Sequence, residues 1–211
     1  MKYVIKNKEP VPFAKWKALA NDEWQPTYND LSGETKAFVK TSLMQEQGFL
    51  CCYCERRLTE NDSHIEHLQP QRDPAVDPLD YRNLLCSCQN QIKKGDPRHC
   101  GNLKADWYDP ALLVSPLNSD CEGRFTFAGD GFITPAEAHD AAARETIVRL
   151  GLDSPKLNDL RANAIEPFLD ESLTMDQLSQ FVDGYLGTGP EDRFGEFWTT
   201  IRALFGDFVA A

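Results

Sequence analysis

The run Cys51-Cys52-Tyr53-Cys54, His64-Ile65-Glu66-His67, Asn83-Leu84-Leu85-Cys86-Ser87-Cys88 and His99-Cys100-Gly101-Asn102-Leu103-Lys104 decides how this chain is read. A Cys-x-x-Cys spacing puts two thiolates on one turn, which is half of a tetrahedral zinc site. The second half is less regular: Cys86 and Cys88 stand too close for an ideal pair, and Cys100 follows further on. The expected ligands are Cys51, Cys54, Cys88 and Cys100, with Cys86 buried on a strand and Cys52 facing away. His99 in place of one thiolate is the competing donor. Six of the seven cysteines lie between 51 and 100, and in a cytosolic chain such crowding favours a metal over disulfides. Cys121, outside the cluster, has no expected role.

Working outward, 211 residues with 41% hydrophobic content and four Trp are enough for a real core, which argues against wholesale disorder. No apolar run approaches the ~20 residues that span a bilayer. The opening Met1-Lys2-Tyr3-Val4-Ile5-Lys6 carries charge where a secretory segment would be apolar. A cytoplasmic protein with no membrane contact is expected. The net charge of −11 is unevenly placed: 7 Lys/Arg against 6 Asp/Glu in residues 1–50, 8 against 9 in 51–108, and 7 against 18 in 109–211. The last part should repel phosphate backbones, so only the first half is suited to approach nucleic acid.

Pro10 and Pro12 suggest an extended arm before a short helix over 13–21, and a better helix is expected over 34–47, stopped by Gly48. Residues 63–69 alternate as a strand should, with 83–86 as its partner. Residues 124–128 and 132–133 flank a Gly-Asp-Gly turn and read as a hairpin. Thr134-Pro135-Ala136-Glu137 has the form of a helix start running to Leu150. Further helices are expected from Ser154-Pro155 to about Leu169, from Thr174, and over 193–208. The aromatics Phe194, Phe197, Trp198, Phe205 and Phe208 recur near helical spacing and are expected mainly in a core.

Glu66 and His67 serve a purpose other than the thiols. A neutral imidazole near pH 7 can take a proton from water, and Mg²⁺ needs few protein oxygens because it keeps several waters. On a strand, positions 64 and 66 share one face and 65 and 67 the other. His64 is expected to make a structural or phosphate contact, with metal assistance beside Glu66 as the alternative. Lys93, Lys94, Arg98 and Lys104 form the basic patch beside these residues and are the expected phosphate contacts.

The string Cys-x-Tyr-Cys, Glu66-His67-x-x-Pro70, Asn83-Leu84 and Cys100-x-x-x-Lys104 resembles the HNH endonuclease family. The flanks, residues 45–54, Asp80-Tyr81-Arg82-Asn83-Leu84-Leu85 and His99-Cys100-Gly101, with Leu150-Gly151-Leu152, Leu157 and Arg161, are similar to the HNH subunit of Septu-type and retron-associated antiphage systems. That resemblance implies an α+β protein with a zinc-stapled ββα-metal nuclease core over 49–108. A helical arm would occupy 1–48, and a hairpin with an acidic helical domain 109–211. His67 would be the general base, Glu66 a ligand of a catalytic Mg²⁺ or Mn²⁺, and Asn83 the residue that fixes the loop between the strands. Many members carry Asn directly after the last cysteine, where this chain has Gly101. Asn102 is therefore assigned as the second metal ligand, with Asn90 as the alternative. The resemblance further implies DNA more than RNA as substrate and an ABC/SMC-like ATPase partner. The competing readings are an RNA (including tRNA) nuclease and an inactive zinc-stabilised interaction module.

Overall fold

Gly48 ends helix α2 (Gly33–Glu46) with a left-handed φ of +56°, and a side chain there would run into the Phe194 ring. The chain therefore turns sharply into the cysteine segment at a place only glycine fits. In the computed structural model, which describes residues 1–92 and 95–209, the arm and α1 (Val11–Lys17) come first. After the cysteine turn, β1 (Ser63–His67) and β2 (Leu84–Cys88) pair antiparallel, with Ser63 opposite Cys88, Ile65 opposite Cys86 and His67 opposite Leu84. A one-turn helix, α3 (Gly101–Lys104), follows. A second small sheet pairs β3 (Phe125–Phe127) with β4 (Ile133–Pro135). Helices α4 (Ala141–Leu150), α5 (Pro155–Ile165), α6 (Met175–Leu186) and α7 (Trp198–Phe205) complete the chain. The fold is mixed helix and sheet, as expected. Among the described residues no helix is long and apolar enough to cross a membrane.

One large core joins Phe13, Val39, Leu43, the cysteines, Leu84, Leu85, Ile147, Leu150 and Leu157. A smaller one gathers Ile165, Phe168, Val182, Ile201 and Phe205 at the far end. Gln47, at the end of α2, reaches Cys86 with both ends of its amide: Cys86 N–H donates to Oε1 at 2.7 Å, and Nε2 donates to Cys86 O at 2.8 Å. These bonds tie α2 to β2 at the middle of the site.

Two expected helix starts fall elsewhere. Thr134 and Pro135 lie in β4, and α4 begins after Asp140, whose carboxylate accepts from Ala143 N–H at 2.9 Å. Pairing β4 with β3 buries Phe125, Phe127 and Ile133, roughly 1.5–3 kcal/mol for each such side chain, more than a cap is worth. The helix expected over 193–208 begins only at Trp198, because Phe197 sits in the left-handed region at φ +53°. Its N-terminus is capped from a distance: Thr199 N–H donates to Glu55 Oε2 at 2.8 Å, and Phe197 N–H to Glu55 O at 3.0 Å. Phe197 and Phe205 are buried, whereas Phe208 is exposed.

Arg161 on α5 is wholly enclosed, with its guanidinium donating to Gly131 O at 2.8 Å, Asn158 Oδ1 at 2.9 Å and Leu152 O. Arg161→Met should strand these acceptors and cost on the order of 3 kcal/mol. Urea unfolding of the two proteins measures it.

Candidate functional site

The turn at 51–54, the end of β2 and the entry to α3 bring four sulfurs together. The Sγ atoms of Cys51, Cys54, Cys88 and Cys100 all lie within 4.8 Å of one another and are buried. Zn–S bonds of ~2.3 Å in a tetrahedron set sulfurs about 3.8 Å apart, and those of Cys54 and Cys88 stand at 3.7 Å. The cluster could therefore hold zinc. Burial opposes ionisation at Cys51 and Cys54, but S–H groups donated by Cys100 and other neighbouring thiols outweigh it and bring Cys54 to about 7. Cys100 is pushed up, by burial and by the thiols around it. Four thiolates this close need a dication to coexist.

Cys86 and Cys52 stay outside the cluster as buried residues. His99 lies against it: Nδ1 is 3.1 Å from Cys100 Sγ and 3.8 Å from Cys88 Sγ. An Nδ1–H there donates to the thiolates, an outer contact of the kind that orients zinc ligands. Cys88 N–H adds a second such contact, to Cys51 Sγ at 3.4 Å.

Beside the sulfurs, β1 carries His64 and Glu66 on one face and His67 on the other. Glu66 Oε1 accepts from Tyr53 OH at 3.1 Å and from the Lys104 ammonium at 3.0 Å. Oε2 points towards His64 Nε2, 3.7 Å away. Burial pushes the Glu66 carboxyl up, but the His64 ring and the Lys104 charge outweigh it and hold it below its ordinary value. Glu66 is thus an anion in a nearly closed setting. His67 Nε2 lies 3.0 Å from Pro78 O. A carbonyl only accepts, so Nε2 carries the hydrogen and the neutral ring keeps its lone pair on Nδ1. Burial holds the His67 pKa down, and Tyr28 supports the ring edge to face at 4.5 Å. Asn83 clamps the chain just after β1, accepting from Gln69 N–H at 2.8 Å and donating to Gln69 O at 2.9 Å.

A cleft of about 370 Å³ opens at this edge of β1, lined by Tyr28, Lys36, Lys40, His64 and Asn90 among others.

No family model matches the chain. A protein of Vibrio cholerae serotype O1 biovar El Tor, named "Retron Vc95 putative HNH endonuclease", is 31% identical over 147 residues, covering 65% of this chain and 68% of that protein. This chain belongs to the HNH endonuclease family.

Within this HNH protein the structure gives two of the expected site residues other partners. Lys104 was expected to meet phosphate at the surface, yet it is only 2% exposed, with its ammonium also donating to His67 O at 3.0 Å. Its charge serves Glu66 instead. Asn102 was expected to join Glu66 on the metal, but the α3 position that faces Glu66 is Gly101: a Cβ there would collide with the carboxylate. The next residue of a helix points ~100° away, and Asn102 donates from Nδ2 to Gln89 O at 2.7 Å. Asn90 lines the cleft. Arg98 is exposed, and Lys93 and Lys94 lie outside the described residues.

Sequence reading missed Lys36, Lys40 and Tyr28, which come from the N-terminal segment, and the Pro78 carbonyl. Pro78 is separated from His67 by an irregular loop, so no periodic signal links the two. Tyr53 was visible in the Cys-x-Tyr-Cys string, but its partner across the fold was not.

Proposed function

We propose that this HNH protein hydrolyses nucleic-acid phosphodiester bonds, DNA in preference to RNA, from a ββα-metal core formed by β1, β2 and α3 and stapled by zinc on Cys51, Cys54, Cys88 and Cys100. The observation that carries this reading is the pairing of His67, with its free lone pair on Nδ1, and the ionised Glu66 next to it on one strand. His67 Nδ1 takes the proton of the attacking water. Glu66 offers the carboxylate for a divalent ion, and Asn83 holds the loop that supplies the Pro78 carbonyl. A hard ion such as Mg²⁺ or Mn²⁺ would supply charge to offset that developing on the scissile phosphate. The DNA preference rests on the motif resemblance.

The cleft beside His64 offers Lys36 and Lys40 to the backbone. Lys40 donates to Glu60 O at 2.5 Å, which leaves Lys36 as the freer cation. Lys36→Glu should weaken binding across sequences alike and lower the slope of log affinity against log salt by about 1, measured by fluorescence anisotropy with a labelled duplex. A defence role beside an ABC/SMC-like ATPase is part of the proposal. The retron in the relative's name and the acidic half, suited to docking on a protein rather than on DNA, support it.

A zinc-stabilised binding module without hydrolysis is the second reading, favoured by the buried Glu66–Lys104 pair. The test is cleavage of supercoiled plasmid and of total RNA by zinc-loaded protein with Mg²⁺ or Mn²⁺, with and without the ATPase. Wild type is compared with Glu66→Gln. Plasmid cleavage lost in the variant supports the proposal, and cleavage of RNA alone reverses the polymer. Equal inertness of both proteins, partner present, leaves the binding module.

A further inference from the structure

We infer that His64 is the second protein ligand of the catalytic ion, supplied from β1 in place of the α3 side chain that Gly101 lacks. This rests on the reading of Glu66 as a metal ligand and names what completes that site.

Glu66 has one oxygen held by two donors and one that faces the His64 ring. Tyr53 OH and the Lys104 ammonium occupy Oε1 at 3.1 and 3.0 Å, so an ion can reach only Oε2. The group facing Oε2 is His64 Nε2, at 3.7 Å. That separation is long for a direct hydrogen bond. It falls between the spacings of two donors to one small cation: with bonds of ~2.1 Å, ligands of a shared ion lie about 3.0 Å apart when adjacent and about 4.2 Å when opposite, so a small rotation of the ring brings the pair onto one ion.

Gly101 explains why the imidazole can stand there. A Cβ on Gly101 would overlap the Glu66 carboxylate and come within 3.0 Å of His64 Nε2. Any larger residue on α3 would press on the ring, and an Asn would extend into the space between ring and carboxylate. The glycine and the histidine are therefore two halves of one arrangement. His64 is a quarter exposed and lines the cleft with Lys36 and Lys40, so an ion between it and Glu66 lies at the edge of the space open to a phosphate. A nitrogen donor instead of an amide oxygen also shifts preference from Mg²⁺ towards a transition ion such as Mn²⁺.

The test is Mn²⁺ binding to zinc-loaded, full-length protein, read by calorimetry and by pulsed EPR, which detects an imidazole nitrogen bonded to the ion. Wild type should show the nitrogen coupling. His67→Ala should keep it, and His64→Ala should lose it while Mn²⁺ affinity falls at least tenfold with zinc content unchanged. His64→Asn serves as the second variant should the alanine protein lose zinc, with the same loss expected. Mn²⁺ bound to wild type, lost in Glu66→Gln, but with no nitrogen coupling or with coupling that persists in the His64 variants, overturns the inference and leaves the Glu66 site standing. Wild type that binds no Mn²⁺ overturns the Glu66 site, and the inference with it.

Discussion

His67→Ala is expected to lower phosphodiester cleavage by about 10²–10⁴-fold, the range over which a positioned general base acts, while zinc content stays at one ion per chain. The expectation depends on orientation more than on the presence of a histidine. The Pro78 carbonyl at 3.0 Å keeps the hydrogen on Nε2, and Tyr28 braces the ring from the side. The lone pair is thereby aimed from Nδ1 alone. Added imidazole should recover part of the lost rate in the alanine variant, because the missing group is a base and the rest of the site is intact. Asn83→Ala should lower the rate by a different route, since the 68–83 loop loses both amide bonds to Gln69 and His67 loses its fixed setting. Imidazole should not rescue that variant. Initial rates on plasmid DNA across the three proteins make the measurement; a fully active His67→Ala would remove the base from the proposed mechanism.

Cys54→Ser, or zinc extraction by a strong chelator, should unfold the 49–108 segment rather than merely soften it. Structural zinc contributes ~10–16 kcal/mol of apparent binding free energy in small domains, as much as the ~5–15 kcal/mol by which most folded domains are stable. Here the sulfurs connect the turn at 51–54, the end of β2 and the entry to α3, pieces with little regular hydrogen bonding of their own. The controls are Cys52→Ser and Cys86→Ser. Both residues are buried but outside the sulfur cluster, so each should cost packing energy and keep the zinc. Zinc content by atomic absorption and protease cutting within 68–83 distinguish the two classes. Cys54→Ser with full zinc would overturn the ligand set.

The four-cysteine cluster was legible because its halves are local patterns: a Cys-x-x-Cys turn, and cysteines at the end of a strand and at the start of a short helix. The antiparallel pairing of β1 with β2 was legible for the same reason, as was α6, whose Thr174 and Gln177 cap each other at 2.9 and 3.3 Å. What failed had its cause outside the residues that carry the local signal. Thr134-Pro135 has every local mark of a helix start, yet the burial of Phe125 and Phe127 across the hairpin makes it a strand. Helix α7 has no N-terminal signal of its own, because Glu55, 144 residues away, accepts its first amide hydrogens.

The sequence alone determined that thiols, a carboxylate and an imidazole sit close together along this chain, since these follow from spacing and strand parity. It could not determine which charged and polar groups meet Glu66. Lys104 looked like one member of a surface patch, and only the packing of α3 against β1 turned it inward as the carboxylate's counter-ion. Gly101 looked like a loss, and only the approach of α3 to within contact of Glu66 made it the space beside His64. Periodicity fixes the direction in which a side chain leaves its own element; which group stands opposite is decided by the distance between elements, and that distance exists only in the folded chain.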